Sequence, residues 1–144
     1  MTRNIAKVAV VLVAAAAVAL SAAASARADA DVSVSFDGHR RALATFIAYG
    51  DEFRICDTQR DNLPVAVRYS YVRKNGTTQR GTHWHVQGVD GVGTPQKSTG
   101  YRQEGCSFFD HDFAEHRRVW VQACVRQPEE GTLSCGSTQV TRTS

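Results

Sequence analysis

Beyond residue 28, apolar and polar residues alternate along most of the chain, and helical spacing is weak. "DVSVSF" puts Val32, Val34 and Phe36 on one face. In "RALATFIAYG" the residues Leu43, Ile47 and Tyr49 oppose Phe46, and the run of Thr, Phe, Ile and Tyr favours a strand over a helix. "EFRIC" continues the pattern and ends in the polar loop "DTQRDNLP". "VAVRYSYV" sends Val65, Val67, Tyr69 and Tyr71 to one side, with Arg68 and Ser70 on the other. "KNGT" is a turn, because Asn-Gly tolerates positive φ, and "THWHV" returns from it. "GVDGVGTPQKSTG" is glycine-rich and aperiodic, which predicts a mobile loop. "RRVWVQACVR" and "TLSCGSTQV" form a terminal pair around "PEEG". About seven short strands separated by turns predict an all-β fold, a small immunoglobulin-like β-sandwich.

The first 28 residues have a different character. Arg3 and Lys7 precede an unbroken apolar run from Val8 to Leu20, and small residues follow it. Ala26 and Ala28 form an A-x-A pattern, with Ala24 and Ala26 as a second choice. This is the layout of a secretory signal peptide, so residues 1–28 are expected to be removed and 29–144 to form one β-sandwich domain, secreted to the extracellular space. A retained anchor would need roughly 20 apolar residues, which the length permits; the cleavage pattern favours removal. The alanine-rich leader suggests a bacterial chain, in which the "NGT" sequon at Asn75 carries no glycan.

Removing the leader changes the charge. The whole chain has 17 basic and 14 acidic residues. Arg3, Lys7 and Arg27 precede residue 29 and no acid does, which leaves the mature chain neutral. Nucleic-acid binding needs a basic footprint, so neither nucleic acid nor, after cleavage, a membrane is expected as a partner.

Cys56, Cys106, Cys124 and Cys135 all follow the leader, and an even count in an exported chain reads as disulfides. With Glu129 and Glu130 at the terminal turn, the register sets Cys124 opposite Cys135. The same register sets Val119 opposite Val140 and Trp120 opposite Gln139. The bridge then lies on the polar face of the hairpin, with Trp120 and Gln122. Cys56 and Cys106 remain as the second pair.

"YGDEFRICD" (Tyr49 to Asp57), "VAVRYSYV", the isolated Cys106 and "VWVQACV…GTLSC" resemble a group of small secreted actinobacterial proteins that share a Gly-Asp-x-aromatic-x-apolar-Cys-Asp stretch and a late Val-x-Val-x-x-Cys strand. "RDNLP" stands here in place of an Asp-Gly turn. The resemblance implies export, disulfides and an all-β fold, and assigns no activity or catalytic residue.

Two segments could carry chemistry. In "THWHV", Trp84 is expected to turn inward and both His83 and His85 outward on one face, close enough to share a metal. "FFDHDFAEH" gathers Asp110, His111, Asp112, Glu115 and His116 in a short loop, with Phe108, Phe109 and Phe113 anchoring it. Its spacing fits neither a zinc-protease helix nor an EF-hand. Exposed strand histidines and a polar loop are the commoner readings, so His83, His85, Asp110, His111 and Asp112 are weak metal candidates and no cofactor is expected. There is no G-x-S-x-G, and no serine lies beside a histidine in sequence. Asp57 and Asp61 read as turn formers, Asp57 as a backbone cap. The favoured function is a non-enzymatic binding or surface-interaction module with an extracellular protein or cell-surface partner. The alternative is a secreted protease inhibitor; such inhibitors present a stiff loop, which the glycine-rich segment 88–100 is not, and this leaves the polar loop "DTQRDNLP" anchored by Cys56. A metal-binding protein or metal-dependent hydrolase ranks third.

Overall fold

The computed structural model describes residues 29–129 and 131–144. The expected leader, and Glu130 of the terminal turn, lie outside the described residues. Nine strands form two antiparallel sheets, and no helix occurs among the described residues. They are β1 (Ala30–Phe36), β2 (His39–Ile47), β3 (Glu52–Asp57), β4 (Val65–Val72), β5 (Thr78–His85), β6 (Cys106–Asp110), β7 (Arg118–Arg126), β8 (Leu133–Cys135) and β9 (Gln139–Arg142). Sheet A has the order β1-β2-β3-β6, and sheet B the order β5-β4-β7-β8 with β9 also on β7. The all-β sandwich expected from the alternation is therefore present. Its strand count is higher than seven for two reasons. "CSFFD" forms β6 on the edge of β3, and the last segment is split into β8 and β9.

Local turn chemistry sets the pairings. Asp37 and Gly38 both have positive φ (51° and 75°), the conformation that closes a two-residue hairpin between β1 and β2. At the β4–β5 turn, Asn75 Oδ1 accepts the Thr77 N–H at 3.0 Å and Gly76 has φ 84°.

The core lies between the sheets. Ala30, Val32, Val34, Ala42, Ala44, Phe46, Phe53 and Ile55 of sheet A face Val65, Val67, Tyr69, Tyr71, Val119, Val121, Ala123 and Val125 of sheet B. β1 and β2 pack directly on β7. In β2 the small residues Ala42 and Ala44 line up inward with Phe46, and Leu43 and Ile47 point outward with the exposed Tyr49. Alanines let β7 approach closely, and Phe46 fills the remaining space against Phe53 at 5.0 Å between ring centres.

Both disulfides are present, Cys56–Cys106 and Cys124–Cys135. Each joins directly opposed residues of neighbouring strands, β3–β6 and β7–β8. The expected register holds through Cys124↔Cys135 and Arg126↔Leu133, then slips by one residue, so that Trp120 faces Val140 and Val119 faces Thr141. The slip falls before Gln139 and after Gly136, whose N–H still bonds Ala123 O in the expected register at 2.9 Å. A Cβ on Gly136 would lie 2.0 Å from the Ser33 carbonyl of β1, so only glycine fits this crossing.

The glycine-rich segment 88–100 is not a free loop. Gly93 N–H donates to Cys106 O (3.0 Å) and Phe108 N–H to Thr94 O (2.9 Å), which lays the segment along the open edge of β6. A Cβ on Gly93 would collide with Ser107 Oγ at 1.7 Å. The missing side chains serve close backbone approach here, and Lys97 fixes the segment to Asp110 at 2.6 Å.

Candidate functional site

The register of β4 and β5 decides where the histidines point. Val65 stands opposite His85 and Val67 opposite His83. Both valines are fully buried, so both histidines turn into the sandwich and Trp84 turns out. This reverses the expected faces. Four core residues of β4 outweigh the hydrophobicity of one tryptophan, because a one-residue shift would expose all four. Trp84 is instead half-covered on the outer face, with the Arg126 guanidinium 4.7 Å above its ring.

Inside, the two imidazoles have different partners. His85 is fully buried. Its Nε2 lies 2.8 Å from Gly88 O and its Nδ1 2.8 Å from Ser107 Oγ. A carbonyl only accepts, so Nε2 carries the hydrogen and Nδ1 accepts from the serine hydroxyl. Folding thus brings a serine to a histidine that sequence spacing keeps apart. Both are sealed, Ser107 being 2% exposed, and a substrate carbonyl has no approach to the pair.

His83 Nε2 meets His111 Nε2 at 2.7 Å. One nitrogen must donate and the other accept, so the neutral pair holds a single hydrogen between them. Aromatic rings surround it. Phe109 stacks on His83 with 4.4 Å between ring centres, and Phe113 on His111 with 4.6 Å. Burial holds the His83 pKa down at about 4, with His111 a second cause. Burial also lowers that of His111.

Asp51, at positive φ, ties this loop to the β2–β3 turn. Its Oδ2 accepts the Phe113 N–H (3.1 Å) and its backbone carbonyl the His111 N–H (3.1 Å). Its other oxygen, Oδ1, is buried without a hydrogen-bond partner. Burial pushes its pKa up to about 6 against the opposing Phe113 hydrogen bond, and the negative charges of Asp112, Asp110 and Glu115 add to the rise.

Of the expected metal candidates, only His83 and His111 come together. His83 joins His111, His85 joins Ser107, Asp110 binds Lys97, and Asp112 points to solvent. Among the described residues no three His, Cys, Asp or Glu side chains converge on a metal-sized site. The loop from Asp57 to Pro64 is bound into the fold. Asp57 Oδ1 caps Gln59 N–H at 2.9 Å, Asp61 Oδ1 accepts Leu63 N–H at 2.9 Å, and Arg41 pairs with Asp61.

A sizeable concavity lies on the outer face of sheet B. It is a cleft of about 610 Å³ across β5, β4 and β7. Arg80, Ser70 and Trp120 form one row across the three strands, and Thr82, Arg68 and Gln122 the next. Thr138, in the link between β8 and β9, forms a wall, and Gln122 Nε2 is held by Gly136 O at 3.2 Å. Strands β4, β5, β7, β8 and β9 carry five arginines and no Asp or Glu. Arg68, Arg80, Arg118, Arg126 and Arg142 all stand on the outer face, since each alternates with an inward residue. Among the described residues no carboxylate forms an ion pair with any of them. Sequence reasoning placed Arg68 and Ser70 on one face, and Trp120 and Gln122 on another, without joining them. The available signal was the absence of acids from every one of these strand segments.

No protein family, no curated protein and no solved structure matches this chain.

Proposed function

We propose that the chain is an exported, non-catalytic binding module that uses the outer face of sheet B. The observation that carries this reading is the cleft itself: open, lined by unpaired arginines and a tryptophan, and built on three rigid strands. Strand-borne side chains hold their geometry better than loop-borne ones. The groups best suited to acid–base chemistry, by contrast, are the inward-facing imidazoles and Asp51, and each is engaged in an internal hydrogen bond. Two disulfides suit an oxidising compartment, and no helix among the described residues is long and apolar enough to cross a membrane.

The test is site-directed photocrosslinking in the producing culture. A photoreactive residue at Thr82, in the cleft, should capture an extracellular or envelope component, while one at Ser35, exposed on β1 of the other sheet, should not. Equal capture from both positions, or turnover of a substrate by the pure protein, would contradict the reading.

A further inference from the structure

We infer that the cleft takes an acidic carbohydrate, a sugar chain carrying carboxylates among its hydroxyls; this rests on the binding-module reading above. Three features of the lining select that chemistry. The first is two guanidiniums at a fixed diagonal. Arg68 is opposite Thr82, and Arg80 lies two residues further along β5, which places the two backbones about 7–8 Å apart. Both side chains are exposed. Arg68 Nη1 touches only the Cys135 sulfur, at 3.7 Å. Among the described residues neither guanidinium pairs with a carboxylate of the protein, and a planar fork can hold a ligand carboxylate through two parallel hydrogen bonds.

The second feature is the company these arginines keep. The hydroxyls of Ser70, Thr78, Thr82 and Thr138 and the Gln122 amide line the same cleft. Groups that both donate and accept suit a ligand with many hydroxyls and a few negative charges. A dense polyphosphate would leave most of them unused. The third feature is how the tryptophans are presented. Arg118 lies 5.7 Å from the Trp120 ring centre and Arg126 4.7 Å from that of Trp84. Each ring has a guanidinium over one face, so at most one face of each is left to stack, short of the run of open platforms on which successive bases of single-stranded nucleic acid stack. The rest of the Trp120 indole can still pack against the C–H face of a sugar ring. The charge is also local: the mature chain is neutral overall, while its acids lie outside the strands of sheet B. A ligand is thus attracted to this face and not to the molecule as a whole.

The test is calorimetric and NMR titration of the exported protein at low salt with trigalacturonate, its carboxyl-reduced neutral counterpart, and an oligothymidylate. Trigalacturonate should bind at least tenfold more tightly than the neutral sugar and shift the amides of Ser70, Thr82 and Gln122. R68Q/R80Q should weaken it at least tenfold. R102Q, the same charge change on an exposed loop residue, should stay within about twofold of wild type. Equal affinity for the neutral sugar through the same amides would overturn the acidic-ligand inference and leave the binding face standing. Tighter binding of oligothymidylate through the same arginines would also overturn it, in favour of nucleic acid. Shifts confined to sheet A, or no binding of any probe, would overturn the inference; in that case the crosslinking at Thr82 decides whether the binding face falls with it.

Discussion

Asp51→Asn should raise the stability of this protein at neutral pH and make it sensitive to acid. Asp51 ionises at about 6 in the folded protein, against an ordinary value near 3.8. A raised carboxyl pKa means that folding favours the protonated form. Above pH 6 the buried anion therefore costs stability, and the cost disappears as pH falls from 6 to 3.8. The size follows from 1.36 kcal/mol for each pH unit between the two values, about 3 kcal/mol at pH 7. His83 acts in the opposite direction. Its folded pKa of about 4 lies below the ordinary 6.5, so its stability contribution is intact above pH 6.5 and is lost as pH falls to 4. Allowing for its partial exposure, that loss is about 2 kcal/mol. The two groups titrate through one window with opposite sign, and burial of His111 adds to the histidine side. Wild type should then change little between pH 6.5 and 4. Asp51→Asn removes the compensating term and exposes the histidine loss. Urea unfolding at pH 7, 5.5 and 4, with disulfides intact, measures this. The variant should be about 2–3 kcal/mol more stable than wild type at pH 7 and should lose that advantage by pH 4. A difference independent of pH would refute the reasoning, as would a variant less stable at pH 7.

Other substitutions probe the remaining geometry. Gly81→Ala would put a Cβ 2.4 Å from the Tyr69 hydroxyl, in a ring held by Phe53 at 4.7 Å. It should cost about 1–3 kcal/mol by overpacking, seen as a lower urea midpoint. His85→Ala strands the buried Ser107 hydroxyl and Gly88 carbonyl and should cost about 2–4 kcal/mol, whereas Trp84→Ala, on the outer face, should cost about 1 kcal/mol. Opening Cys124–Cys135 by double serine substitution should remove about 3 kcal/mol on the chain-entropy account of its short ring, and non-reducing peptide maps of wild type should link Cys124 to Cys135 and Cys56 to Cys106.

Alternation along "VAVRYSYV" and "RRVWVQACVR" was enough to give the strands, their inward faces and the all-β class, because a period of two has one physical meaning on a half-buried strand. The Cys124–Cys135 pairing was legible for the same reason: a hairpin turn fixes register by counting. The histidine faces were legible too, by the same count. A turn centred on Asn75 sets Val67 opposite His83 and Val65 opposite His85, and this outweighs the intuition that a tryptophan belongs inside. Other features were not legible. Whether β6 docks on β3, and whether segment 88–100 lies along β6, depends on contacts between distant parts of the chain that leave no local periodicity. The requirement for glycine at position 136 arises from a neighbouring strand's backbone. The cleft was hidden by arithmetic on net charge, which is zero over residues 29–144 while the arginines gather on one sheet.

Co-sedimentation of the protein with envelopes of the cells that produce it tests the binding face most directly. Wild type and R102Q should pellet with the envelopes, and R68Q/R80Q, folded by the same urea and circular-dichroism criteria, should remain in the supernatant. Equal pelleting of R68Q/R80Q and wild type would contradict the assignment of the sheet B cleft as the site of function.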